Sequence, residues 1–138
     1  LLFQCPAFPT GNSAAASAVA AKGLTGAMET FTLLRDRDDS SAWTDWFVRA
    51  GLAYMGEADT LIIPDPNVRV QAVVDGQGVA LNDALVEQEL AAGKLHRLSG
   101  DALDNYGYFL VYHPETARRA ETREFIDWMT AMARSDTL

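Results

Sequence analysis

A single cysteine, Cys5, stands in 138 residues, so no disulfide can close within the chain. Its cysteine usage gives no sign of an oxidising compartment. Histidine is as sparse. His96 and His113 lie in different segments with no cysteine or histidine at ligand spacing from either, so no metal site is expected. No apolar run approaches the roughly 20 residues that cross a bilayer, and no membrane partner is expected. Positive charge is also short: 11 Lys and Arg face 19 Asp and Glu, for a net charge of -8. That balance argues against this chain gripping a phosphate backbone by itself. No glycine-rich loop runs into a Lys-Ser or Lys-Thr pair, and Gly76-Gln77-Gly78 is too short to cradle a nucleotide, so no cofactor is expected. The sequence opens Leu1-Leu2-Phe3-Gln4 with no initiator Met and no basic-then-apolar leader. It reads as the interior of something longer, without a signal peptide and cytoplasmic.

What is present is ordinary globular material, 49% hydrophobic and 22% charged, enough for one modest domain or one lobe with appendages. Its most informative stretch is Val70 to Leu81. Val70, Val73 and Val74 share a helical face, Gly76 follows where a left-handed turn is needed, and Val79-Ala80-Leu81 is a continuous apolar run. Helix, turn and doubly covered strand in that order belong to an open α/β sheet, which binds small ligands at its strand ends and helix starts. The rest of the chain fits such a sheet. Leu1–Phe8 reads as a strand running into a turn at Pro9. Ala14–Ala21 reads as a small-residue helix capped by Asn12 or Ser13, closed by Gly23 and poorly anchored for want of bulk. Strands are expected at Phe31–Leu34, Thr60–Ile63, Leu95–Leu98 and Tyr106–Tyr112. A helix capped by Ser40 carries Trp43, Trp46, Phe47 and Ala50 to Gly51. Another starts at Asn82 or Asp83 and closes at Gly93, and a last one spans roughly Thr116–Arg134 with Phe125, Ile126, Met129 and Met132 on one side.

Four blocks in this order resemble a known family. Trp43–Gly51 resembles a tryptophan helix following a DRDD segment, and Val68–Leu81 resembles a block ending GQGVAL. Asp83–Leu98 carries an LVExELAAGKL pattern, and Gly107–Pro114 reads GYxLVYxP. Together they resemble the effector-binding domain of LysR-type transcriptional regulators, in the branch that holds the glycine-cleavage and β-lactamase regulators. The resemblance implies a periplasmic-binding-protein-like (type 2) α/β fold: two lobes, two crossover strands and a small-molecule effector in the cleft between them. It implies crossover strands at 1–8 and 106–112, a second lobe over 31–98, and a C-terminal helix at 116–134 returning to the first lobe. The family's N-terminal winged helix-turn-helix, its route to DNA, and the opening part of the first lobe have no counterpart in this sequence.

The residues themselves put the best candidate site at Asp65-Pro66-Asn67-Val68. Free N–H groups at a helix start can hold ligand oxygens, yet Asp65 competes for the same donors and suits a ligand ammonium better. An amino-acid or peptide-like effector follows. Asp65 acting only as a helix cap is the commoner alternative, which makes Asn67 the less ambiguous contact. The resemblance adds Tyr108 and Tyr106 on one crossover strand and Pro6 and Ala7 on the other; packing is the competing role for the tyrosines. Cys5 reads as an inert thiol. No nucleophile–base pair is found, so no enzyme is expected. An effector-sensing domain of a regulator that self-associates is the reading that results, with a solute-binding protein of a transport system as the alternative.

Overall fold

The computed structural model describes residues 1–53 and 59–135. In chain order the elements are β1 (Phe3–Gln4), β2 (Phe8–Gly11), α1 (Ser13–Met28), β3 (Leu33–Arg35), α2 (Ala42–Ala50), β4 (Thr60–Ile62) and α3 (Pro66–Val74). They continue with β5 (Val79–Asn82), α4 (Glu87–Ala91), β6 (His96–Arg97), β7 (Gly107–Tyr108) and α5 (Ala120–Ser135). The chain divides into two compact units, Ala7–Leu103 and a second formed by Leu1–Pro6 with Asp104–Leu138.

The larger unit is built on a five-stranded sheet of order β4-β3-β5-β2-β6. β3 runs parallel to both β4 and β5, whereas β2 is antiparallel to β5 and to β6. Parallel neighbours need a crossover, and α2 and α3 supply the two. One core cluster joins Leu34, Ala72, Val73, Ala80, Val86 and Leu95, with Ile63, Val70, Val74 and Leu90 packed against it. The valine face of α3 thus lies on the sheet, as its spacing predicts. On α2, Trp43, Trp46 and Phe47 are all buried. Trp43 and Trp46 meet edge-on, 5.8 Å apart at 87°. Both indoles are satisfied: Trp43 Nε1 donates to the Leu34 carbonyl at 2.9 Å and Trp46 Nε1 to the Asp101 carbonyl at 3.1 Å. Buried aromatic bulk of this kind needs such partners for its polar edge.

Several expected elements change in detail. Phe8 to Gly11 is strand rather than turn, although Pro9 sits inside it. The Pro9 carbonyl accepts from Leu98 N at 2.9 Å, and proline has no N–H to return the second bond, so the pairing with β6 stops there. Gly23, at φ 79°, kinks α1 instead of ending it; Ala27 and Met28 beyond the kink are buried and anchor the second half. Asn12 caps the first half through Ala15 N. Ser41 holds the cap position of α2, while Ser40 is buried one residue earlier with its carbonyl bonded by the Arg35 guanidinium. The helix after β5 begins as a 3-10 turn, Ala84–Val86, capped by Asp83. Position 78 has room only for glycine, because a Cβ there would overlap the Thr32 carbonyl oxygen and crowd Leu34.

In the smaller unit β1 pairs antiparallel with β7, Phe3 opposite Tyr108 and Gln4 opposite Gly107. The strand expected over Tyr106–Tyr112 shrinks to two residues because β1 offers only two to pair with. Phe109, Val111 and Tyr112 are exposed. The last helix starts later than its pattern suggests. Thr116–Arg118 is a 3-10 turn, and Arg119 is extended (ψ 137°) before α5 begins. α5 buries no residue; Phe125 and Trp128 remain 52% and 56% exposed.

Candidate functional site

Strand direction gathers the site in the larger unit. The parallel β3, β4 and β5 end on one edge of the sheet, and antiparallel β2 begins there. β6, antiparallel to β2, also ends there. Arg35, Ile62, Asn82, Phe8 and Arg97 therefore share the carboxyl edge, where open α/β sheets hold ligands.

The loops along this edge are held by their arginines. Arg35 donates to the Ser40 carbonyl, and Arg69 Nη1 donates to the carbonyls of Ile63 at 2.6 Å and Pro64 at 3.3 Å. Arg97 donates through Nε to the Ser99 carbonyl at 2.8 Å and through Nη2 to the Gly100 carbonyl at 3.0 Å. Its guanidinium lies over the Phe8 ring, 4.3 Å from the centroid, in cation–π geometry. Arg37 pairs with Asp39 at 3.0 Å and Asp36 at 3.5 Å on the solvent side.

Asp65 is the N-cap of α3, with Pro66 at the first helical position. Its Oδ1 accepts from Asn67 N at 2.8 Å and Val68 N at 3.1 Å. Two of the N–H donors of this helix start are thus taken by Asp65 and do not remain for a ligand oxygen. Asp65, Asn67 and Val68 are brought together and all exposed. In the centre of the sheet Thr10 is fully buried. Its Oγ1 donates to the Ala80 carbonyl at 2.9 Å and accepts from Asn82 Nδ2 at 2.8 Å.

Ala7, on the boundary of the larger unit, is buried, and both its backbone polar groups bond Leu103, at 3.3 and 2.8 Å. Pro6, Tyr106 and Tyr108 belong to the smaller unit. Tyr108 stacks on Phe3 with centroids 5.0 Å apart, and Tyr106 accepts from Cys5 N through its carbonyl at 3.0 Å. Tyr108 lies in β7 and Tyr106 just ahead of it. Pro6 is exposed and Cys5 buried. Asn82 and Arg97 on this edge, and Thr10 paired with Arg97, are not among the candidates that the sequence suggests. The turn expected at Pro9 hid Thr10 in a loop, and Asn82 looked like a helix cap. Among the described residues no group of three or more His, Cys, Asp or Glu could hold a metal, and no helix is long and apolar enough to cross a membrane.

Comparison with known proteins adds the family. A family model described as the LysR substrate binding domain matches residues 14–134. The chain is 29% identical over 107 residues to the glycine cleavage system transcriptional activator of Escherichia coli K12, covering 76% of this chain and 35% of that protein. It therefore spans about a third of the length of the curated relatives it matches. Among solved structures it resembles the effector domain of the transcriptional regulator AmpR of Pseudomonas aeruginosa, with TM-score 0.79 and 23% identity over 98% of this chain and 63% of that one. It also resembles full-length LysG of Corynebacterium glutamicum with its effector Arg bound, at TM-score 0.72 and 15% identity, over 96% of this chain and 44% of that one.

Proposed function

The chain belongs to the LysR substrate-binding domain family, and from that membership we propose that it is the effector-sensing part of a LysR-type transcriptional regulator. Its fold is that of the family's effector-binding domains, the periplasmic-binding-protein-like type 2 fold. A role as a transport solute-binding protein is not favoured, because the sequence relatives are transcriptional activators. The observation that carries the reading is the family match over residues 14–134, a span that includes every strand of the five-stranded sheet except β2. The carboxyl edge of that sheet is the effector's side. There Asp65 Oδ1 caps α3 while the rest of this exposed carboxylate faces solvent, which favours an effector bearing an ammonium group, such as an amino acid or a peptide. Asn67 and Val68 adjoin it, and Tyr108, Tyr106, Pro6 and Ala7 complete the set carried over from the family resemblance.

The mechanism is indirect and involves no catalysis. An effector that binds one arrangement of the domain better than another shifts the balance between them, and without differential affinity it switches nothing. In such a regulator DNA contact belongs to the winged helix-turn-helix, not to the effector-binding domain. The exposed apolar side of α5 favours self-association. The test is a thermal-shift screen of the full-length regulator against the L-amino acids and short peptides. A ligand present at 100 times its Kd stabilises the protein by about 2.7 kcal/mol, and that rise in Tm should vanish in Asn67→Ala and Tyr108→Ala. Unchanged shifts in both variants remove these residues from the site.

A further inference from the structure

We infer that Asn82 is an effector-binding residue, its side-chain Oδ1 turned by Thr10 to accept an N–H from the ligand; this rests on the carboxyl edge of the sheet being the effector's side. Thr10 is fully buried, and its one hydroxyl proton is committed to the Ala80 carbonyl, which can only accept. The remaining lone pairs of Oγ1 can only accept in turn. The Asn82 atom 2.8 Å away must therefore be the NH2 group, which fixes which way the carboxamide faces. Oδ1 then points away from Thr10, and among the described residues no donor reaches it.

Placement gives that acceptor its use. Asn82 is the last residue of β5, the central strand of the sheet, and sits on the carboxyl edge opposite Phe8. Residues paired across antiparallel strands share a face, so Phe8, Thr10, Ala80 and Asn82 line one side of the sheet, and Arg97, paired with Thr10, lines it too. Asn82 is only partly exposed. An acceptor left without a donor once a ligand shuts out water costs free energy, so a bound ligand must bring a hydrogen-bond donor to it, and for the ammonium-bearing effector that Asp65 favours that donor is an N–H. The class of ligand that fits is an amine or amide, and Thr10 is the positioning residue.

The test uses the full-length regulator, titrated calorimetrically with each L-amino acid and with glycylglycine, in the wild type and in Asn82→Ala, Thr10→Val, Thr10→Ser and Asn67→Ala. The expected result is a panel member whose affinity falls about tenfold in Asn82→Ala and in Thr10→Val, the worth of one hydrogen bond, and is retained in Thr10→Ser. Wild-type affinity in Asn82→Ala beside a loss in Asn67→Ala overturns this inference and leaves the site in place. Wild-type affinity in both overturns the site as well. A panel that gives no heat overturns the amine or amide class. Loss in Thr10→Ser as deep as in Thr10→Val overturns the positioning role. A ligand-free reading keeps the orientation testable should Thr10→Val not fold. In nitrogen-15 spectra one Asn82 side-chain N–H should exchange more slowly than those of Asn67, and equal exchange overturns the assigned orientation.

Discussion

Asp65 carries a structural task and a proposed binding task on one carboxylate, and substitutions can separate them. Removing the cap in Asp65→Ala should cost about 1 kcal/mol of stability, read as a lower urea midpoint at unchanged slope. Asp65→Ser keeps an oxygen for Asn67 N and Val68 N, so its midpoint should stay near the wild-type value. If the carboxylate also meets a ligand ammonium, Asp65→Ser alone should lose effector affinity while remaining as stable as the wild type. Trp46 is the opposite kind of residue, fully buried with its indole N–H bonded to a carbonyl and no face toward solvent. Trp46→Ala should destabilise the larger unit by about 3–5 kcal/mol, measured by denaturant unfolding, through cavity formation and an orphaned Asp101 carbonyl. Both residues were legible in the sequence. Asp before Pro marks a helix start, and Trp43, Trp46 and Phe47 fall on one helical face. Thr10 was not, because its role depends on Ala80 and Asn82, some seventy positions away.

Among the elements, α3 and β5 followed their pattern almost residue for residue, since helical spacing, the turn at Gly76 (φ 80°) and an apolar strand all agree. The short strands departed from theirs. A strand's length is set by its partner, and β7 can be no longer than the two residues of β1 allow, whatever the aromatic run after it suggests. Pro9 misled for a related reason. Proline breaks a central strand only if its missing donor is needed, and here β6 simply ends at that point. The entry to β5 offers a sharp test of element packing. Gly78→Ala would drive a methyl into the Thr32 carbonyl and the Leu34 side chain. It should lower stability by about 1–3 kcal/mol by overpacking, seen as a drop in Tm of the larger unit.

At the scale of the whole molecule, the apolar side of α5 governs solution behaviour. Phe125 and Trp128 lie 6.0 Å apart and, with Met132 at 46% exposure, form an apolar stripe on the helix. In isolation this chain should associate with rising concentration, followed by light scattering, and a Phe125→Glu, Trp128→Glu double variant should remain monomeric. A wild-type chain that stays monomeric at every concentration would refute this. The distribution of tryptophan also gives the molecule a built-in optical readout. Trp43 and Trp46, locked edge-on in the core of the larger unit, should give a near-ultraviolet dichroism signal that disappears when that unit melts. Trp128 belongs to the other unit and is half exposed, so its emission should be red-shifted and open to acrylamide quenching. With no added label, the melting of one unit and the covering of α5 in the other can be followed in the same cuvette.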